Sequence, residues 1–221
     1  MNQAKPKSET KPKPKTKTNP KTKTEPELKT YQKIGIGFLI FVIAGIIGWL
    51  YEFFLAWFET GQIYMKGGNF LPWINIYAFG ALLIAGATWK VKKHPWAVFL
   101  LSVLITGSLE LLAGWLVYTI GDGTRYWNYD HGIWQIGSVN GFICLASITA
   151  FGLSALLLMY VVLPLCIRIA TRMNKRAFLI FTTSLFVLVL ADEVINLTLK
   201  NLNQWGAMDF YQSLGLEYQS F

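Results

Sequence analysis

Apolar positions gather into five long runs, covering residues 34–58, 73–89, 95–120, 139–169 and 177–199. Each holds 17 or more residues. At about 1.5 Å per residue such a run predicts a helix able to cross a hydrocarbon core of about 30 Å. Aromatic residues mark the run ends as interfacial belts: Trp57, Phe58, Trp73, Trp89, Trp96, Trp127 and Trp134. Pro164, near the end of the fourth run, is expected to kink it or to shift its last turn into the interface. The expected fold is an all-α polytopic membrane domain over residues 34–200 with about five transmembrane helices. A tail over 1–33 precedes it and an extracytoplasmic tail over 201–221 follows. No internal repeat is visible.

Composition agrees with the pattern. Apolar residues make up 53% of the 221 and charged residues 14%, against roughly 25% charged in soluble domains. So few charges could not keep so much apolar surface in solution. A disordered chain, a disulfide-rich secreted domain and a typical cytosolic enzyme are excluded.

The net charge of +8 belongs mostly to one segment. Residues 1–33 carry ten Lys against Glu9, Glu25 and Glu27, while the remainder is nearly neutral. This Lys/Pro/Thr-rich tail has too little apolar surface to order itself and is expected to be disordered. It is too long and too charged for the n-region of a cleaved signal peptide. Each Lys near an anionic lipid surface contributes about 1 kcal/mol, so anionic lipid is the partner expected for the tail. No nucleic-acid partner is expected, because the basicity lies in the tail and not in a fold.

Orientation follows from the loops. Lys90, Lys92, Lys93 and His94 fill one turn, and Arg168, Arg172, Lys175 and Arg176 fill another. The alternate loops, 59–72 and 121–138, hold only one Lys or Arg each, Lys66 and Arg125. Under the positive-inside rule the N-terminus is cytoplasmic and the C-terminus outside. A multi-pass protein of a cell membrane is the expected setting.

Ionisable and polar residues inside spans face a bundle interior or water by default. Glu52, Asn75, Tyr77, Glu110, Asn140 and Asp192 fall in the outer half of the five runs, with Glu193 and Asn196 beside Asp192. Arg125, from the outer loop, is the expected partner of Glu52 or Glu110. The six and Arg125 are the candidate substrate-binding residues of an outward-facing polar cavity. The competing reading is a polar knot that locks the helices and binds nothing. Trp49, Tyr51 and Tyr126 read as belt residues and Cys144 as packing. Gly45, Gly48 and Glu52 share a helix face, as do Gly107, Glu110 and Gly114, and such small-residue faces let helices approach closely in lipid.

Candidate catalytic chemistry is absent from the sequence. It has no Gly-rich phosphate loop, no Ser-His-Asp spacing and no His-Glu-x-x-His. With two His and two Cys there is no metal-ligand cluster and no cofactor is expected. Cys144 and Cys166, 22 residues and about 33 Å apart on one helix, cannot bridge within it.

Three stretches resemble the small bacterial membrane proteins of the ABC-transporter type IV permease family, over about residues 48–152. The first is Gly48-Trp49-Leu50-Tyr51-Glu52, similar to Gly-Trp-x-x-Glu. The second is the run from Leu71 to Gly80, similar to Gly-Pro-x-x-Pro-Ile-Tyr-Gly-x-Gly. The third combines Thr106, Glu110 and Gly114 with Arg125-Tyr126-Trp127-Asn128-Tyr129 and Asn140-Gly141-Phe142-Ile143-Cys144-Leu145. Asn75 stands where the family has Pro, Ala78 where it has Gly, and Asn128 where it has Asp. Phe142 stands where a basic residue is usual, and no acid lies near Val117, so the chain resembles a divergent member. The resemblance implies a non-enzymatic permease or transporter component, with an ATPase subunit or a second copy as protein partner. A structural or regulatory subunit, or an intramembrane enzyme of lipid or envelope metabolism using Glu52 or Glu110, are the alternatives.

Overall fold

The computed structural model describes residues 27–62, 64–66, 69–121, 123, 125, 127–202 and 206–219. Most of the Lys-rich tail, and Tyr126, lie outside them. The elements in order are α1 (Thr30–Thr60), β1 (Tyr64–Lys66), α2 (Asn75–Thr88), α3 (Pro95–Ile120), α4 (Leu145–Leu157), α5 (Leu163–Arg172), α6 (Lys175–Asn201), α7 (Ala207–Ser213) and β2 (Glu217–Gln219). The two strands pair in parallel, Tyr64 opposite Glu217, and the other elements among the described residues are helical.

Four helices among the described residues are long and apolar enough to cross a membrane: α1, α3, α6, and α4 continued through α5 as Leu145–Arg172. Pro164 does not end that last helix. It lacks the N–H that would bond back one turn, and a π-helical turn at Leu158–Val162 precedes it and absorbs the mismatch. Outward faces are apolar: Phe58, Ile76, Leu104, Ile120 and Ile180 are each more than 60% exposed. Such faces suit lipid or a packed partner rather than water.

The expectation of five full-length helices is corrected at the second run. Helix α2 has 14 residues, about 21 Å, and a 3-10 turn over Trp89–Val91 adds about 6 Å, still short of a core of about 30 Å. It runs antiparallel to α1. Its first residues meet Gly45, the midpoint of α1, where Ile74 N–H donates to the Gly45 carbonyl at 3.1 Å. Its later residue Ile84 packs with Ile36, Leu39 and Ile40. Residues 70–74 lead into α2 without helix. Their N–H groups are nevertheless satisfied, as apolar surroundings require. The Phe70 and Leu71 N–H groups donate to Asp192 at 3.0 and 3.4 Å. Trp73 N–H donates to the Leu71 carbonyl at 2.9 Å, and Pro72 has no N–H to satisfy.

The fourth run is corrected at its start. Residues 139–144 form a turn, and α4 begins only at Leu145. Phe142 N–H donates to the Val139 carbonyl at 3.0 Å. Asn140 and Gly141 both have positive φ, 51° and 70°, which is the Asn-Gly type I′ turn. Cys144 then caps α4: its Sγ accepts from Ser147 N–H at 3.3 Å and its own N–H donates to Ser147 Oγ at 3.2 Å. Cys144 and Cys166 are both free and buried.

The core lies where α1, α2, α4, α5 and α6 converge, around Leu39, Met159, Cys166 and Phe178. At the basic side, Gln32 Nε2 donates to the Ala170 carbonyl at 2.7 Å, and the Lys175 ammonium stands 5.7 Å from the Tyr31 ring. The starts of α1 and α6 and the end of α5 therefore meet. Trp73 is no belt residue: it is 3% exposed, whereas Trp57, Trp89 and Trp96 are well exposed.

Candidate functional site

Close helix approach positions the polar side chains. A methyl at Gly48 would overlap the Tyr77 ring, and one at Gly45 would stand 3.2 Å from Trp73. These glycines let α2 lie against α1. There the Tyr77 hydroxyl donates to Glu52 Oε1, and Tyr77 meets Tyr51 edge to face at 6.2 Å. On α3, Gly107 and Gly114 admit Ile148 and Phe142 in the same way, at 3.2 and 3.0 Å. Glu110 lies between them and accepts from the Tyr129 hydroxyl at 2.7 Å and Ser147 Oγ at 3.0 Å. Burial, and then the Glu110 carboxylate, hold the Tyr129 phenol well above its ordinary value.

The third cluster belongs to α6. Asp192, 6% exposed, accepts from the indole Nε1 of Trp73 at 3.0 Å besides the two backbone groups already described. Glu193 Oε1 accepts from Asn75 Nδ2 at 2.7 Å and from Asn69 Nδ2 at 2.6 Å. Asn196 Nδ2 reaches Asn69 Oδ1 at 3.5 Å. From the C-terminal segment, the Tyr211 hydroxyl donates to the Phe70 carbonyl at 2.6 Å. Burial, and then Asp192, raise its phenol above the ordinary value.

The expected pairing of Arg125 with Glu52 or Glu110 is corrected. Arg125 Nη1 donates to the Asn140 carbonyl at 2.7 Å and to Asn128 Oδ1 at 3.4 Å. Its ion pair among the described residues is with Asp130, at 3.7 Å. The guanidinium also faces the Phe142 and Tyr118 rings at 4.9 and 5.1 Å. Arg125 thus clamps its own loop onto the Asn140-Gly141 turn, where a Cβ on Gly141 would stand 2.7 Å from the Asp130 carboxylate. Asn140 contributes its backbone carbonyl and its positive φ.

The seven expected residues therefore fall into four bonded groups: Glu52 with Tyr77, Glu110 with Tyr129 and Ser147, Arg125 with Asn140, and Asn75 and Asp192 with their α6 and loop neighbours. Sequence reasoning missed Tyr129, Ser147, Asn69 and Trp73 as partners. It sought Arg125 as the partner of Glu52 or Glu110, and the fold supplies the acids with hydroxyls, amides and an indole.

One groove of about 590 Å³ lies between α1, α2 and α6. Asn75 and Glu193 stand at one end of it and Lys33 at the other, and apolar, mostly aromatic side chains line the length between. Asn75 is the residue of the seven that it takes in.

Comparison with known proteins adds a family. No curated protein matches the chain, and no solved structure does. The family model described as Putative ABC-transporter type IV matches residues 39–197, from the first third of α1 to near the end of α6. The match covers well over half of the 221 residues, and with four membrane-length helices beside it, this multi-pass membrane protein belongs to that family.

Proposed function

We propose that the protein is the membrane-embedded subunit of a transporter whose ATPase is a separate chain. Its N-terminus lies in the cytoplasm of a bacterial cell, and a substrate site lies near the middle of the membrane. Family membership supports the transporter reading. The observation that carries the site is the interrupted second crossing. Short helices joined to non-helical backbone at membrane depth are a recurrent way for transporters to place polar groups where a substrate can reach them. Here α2 starts near the midpoint of α1, and Asn75 at its first turn shares Glu193 with Asn69.

The outward-facing polar cavity expected from the sequence takes a different form in this proposal. Glu52, Glu110 and Asp192 hold helices and loops together through bonds with other protein groups, and substrate contact falls to Asn75 and Glu193 at the head of the groove. A second reading, a structural or regulatory membrane subunit, draws on the same bonds: polar groups so fully paired suit a scaffold.

Affinity purification in mild detergent, followed by identification of co-isolating chains, separates the two. The transporter reading expects a nucleotide-hydrolysing partner in fixed proportion, and ATP hydrolysis by that complex. A homogeneous preparation with no such partner favours the scaffold.

A further inference from the structure

The groove between α1, α2 and α6 joins three features. Its floor is Trp73 and Val189, both buried. Its walls are a connected set of rings. Phe41 meets Trp73 edge to face at 5.6 Å and Phe79 at 5.0 Å. Phe38 lies 6.3 Å from Phe41 and 5.7 Å from Phe186. Its head is the Glu193 carboxylate, whose Oε1 takes both amide donors and whose Oε2 has no partner among the described residues. Phe79 and Phe186 are 63% and 50% exposed, so the groove opens toward the bilayer.

An ionised carboxylate in such a place is costly without a counter-charge. Aromatic faces attract cations electrostatically, most strongly where water is excluded. The charge that matches a carboxylate and a ring wall together is a cation carried on an apolar body. The volume suits a small molecule, inside the common range of about 300–1,000 Å³. Lys33, the cation of this groove, lies twelve residues before Gly45 on α1, about 18 Å along the helix. It is too far from the Glu193 end to neutralise it.

Resting on the transporter reading above, we propose that this groove is a binding site for a lipophilic cation, with the positive centre beside Glu193 and the apolar groups against Phe38, Phe41, Phe79 and Phe186. Neutral lipid tails would fill the walls and leave the carboxylate unmatched. A lipophilic anion would meet Glu193 with the wrong sign.

Binding of tetraphenylphosphonium to the full chain in phosphatidylcholine nanodiscs tests this, with tetraphenylborate as a probe of similar shape and opposite charge. Saturable binding of the cation near one per chain, with the anion no better than empty nanodiscs, is the expected result. Glu193→Gln keeps an acceptor for Asn69 and Asn75, and should weaken cation binding about tenfold or more. Phe79→Leu keeps an apolar surface at an exposed position, so folding is not at stake, and should weaken it severalfold. Cation uptake equal to that of empty discs overturns the proposal. So does saturable binding unmoved by both variants, or equal binding of both probes. The assay needs no ATPase, so a failed binding result beside a co-purified ATPase rejects the groove and leaves the transporter reading standing. A positive result without an ATPase does the reverse.

Discussion

The Trp73 indole donates to Asp192 Oδ2 at 3.0 Å, across 119 positions of sequence. That contact sits where the backbone leaves helical geometry inside the membrane domain, and the same carboxylate accepts the Phe70 and Leu71 N–H groups. A buried charge with three donors is stable where a lone one is not. Asp192 is therefore the acceptor that makes residues 70–74 tolerable at this depth. Asp192→Leu strands three donors, two on the backbone, and should cost about 3 kcal/mol or more. Asp192→Asn keeps one acceptor and turns an amide N–H₂ toward donors, so it should fall between. Thermal unfolding in detergent measures both, and a Leu variant as stable as the native chain would contradict the assignment.

Glu110 and Arg125 should act independently. Glu110→Gln retains an acceptor for Tyr129 or Ser147, and Ser147 Oγ also lies 3.0 Å from the Cys144 carbonyl. The loss should stay near 1 kcal/mol. Arg125→Leu releases the Asn140 carbonyl and Asp130, and should loosen the loop that carries them. In a double-mutant cycle the coupling should lie within about 0.5 kcal/mol of zero. A coupling well beyond that would mean the two residues share a network.

Gly48 should be the least replaceable glycine of α1 and α2. Gly48→Ala drives a methyl into the Tyr77 ring and displaces the hydroxyl that meets Glu52. Overpacking of this kind costs about 1–3 kcal/mol. Gly86 has nothing within 4 Å of an added methyl, so Gly86→Ala should be neutral or stabilising by about 0.5 kcal/mol. Melting temperatures in the reverse order would refute the packing.

Alkaline pH should unfold the protein through its buried phenols. Tyr129 and Tyr211 are both held above the ordinary phenol value, chiefly by burial. The unfolded chain then loses these protons first, near pH 10. The stability they contribute is complete below about pH 10 and declines as pH rises toward the folded values. Replacing both by Phe should flatten that part of the pH–stability curve. An unchanged slope above pH 10 would show that neither phenol titrates differently in the folded state.

Hydropathy made the first, third and fifth runs legible to within a few residues, because long apolar helices in lipid need little else. It could not show that the helix of the second starts only at Asn75, after a non-helical lead-in: Leu71, Trp73 and Ile74 are as apolar as the residues of α2. The signals were Pro72 and the acid of α6, and they meet only in three dimensions. The start of α4 was misplaced because Val139, Phe142 and Ile143 extend the apolar run through an Asn-Gly turn. The polar residues were legible as a layer and not as pairs. Tyr129 and Ser147 carry no charge to betray that they serve Glu110.

The second crossing decides the topology, so its direction is the most direct test. If residues 70–74 and α2 together cross the membrane, His94 and the neighbouring Lys lie inside and the 121–138 loop outside. If only the four long helices cross, both assignments reverse. Single cysteines at Lys93 and His131, in a chain with Cys144 and Cys166 replaced, can be labelled in intact cells with a membrane-impermeant thiol reagent. The account predicts rapid labelling of His131→Cys from outside, and labelling of Lys93→Cys only after the cells are opened. Labelling of Lys93→Cys from outside, with His131→Cys protected until opening, would contradict it.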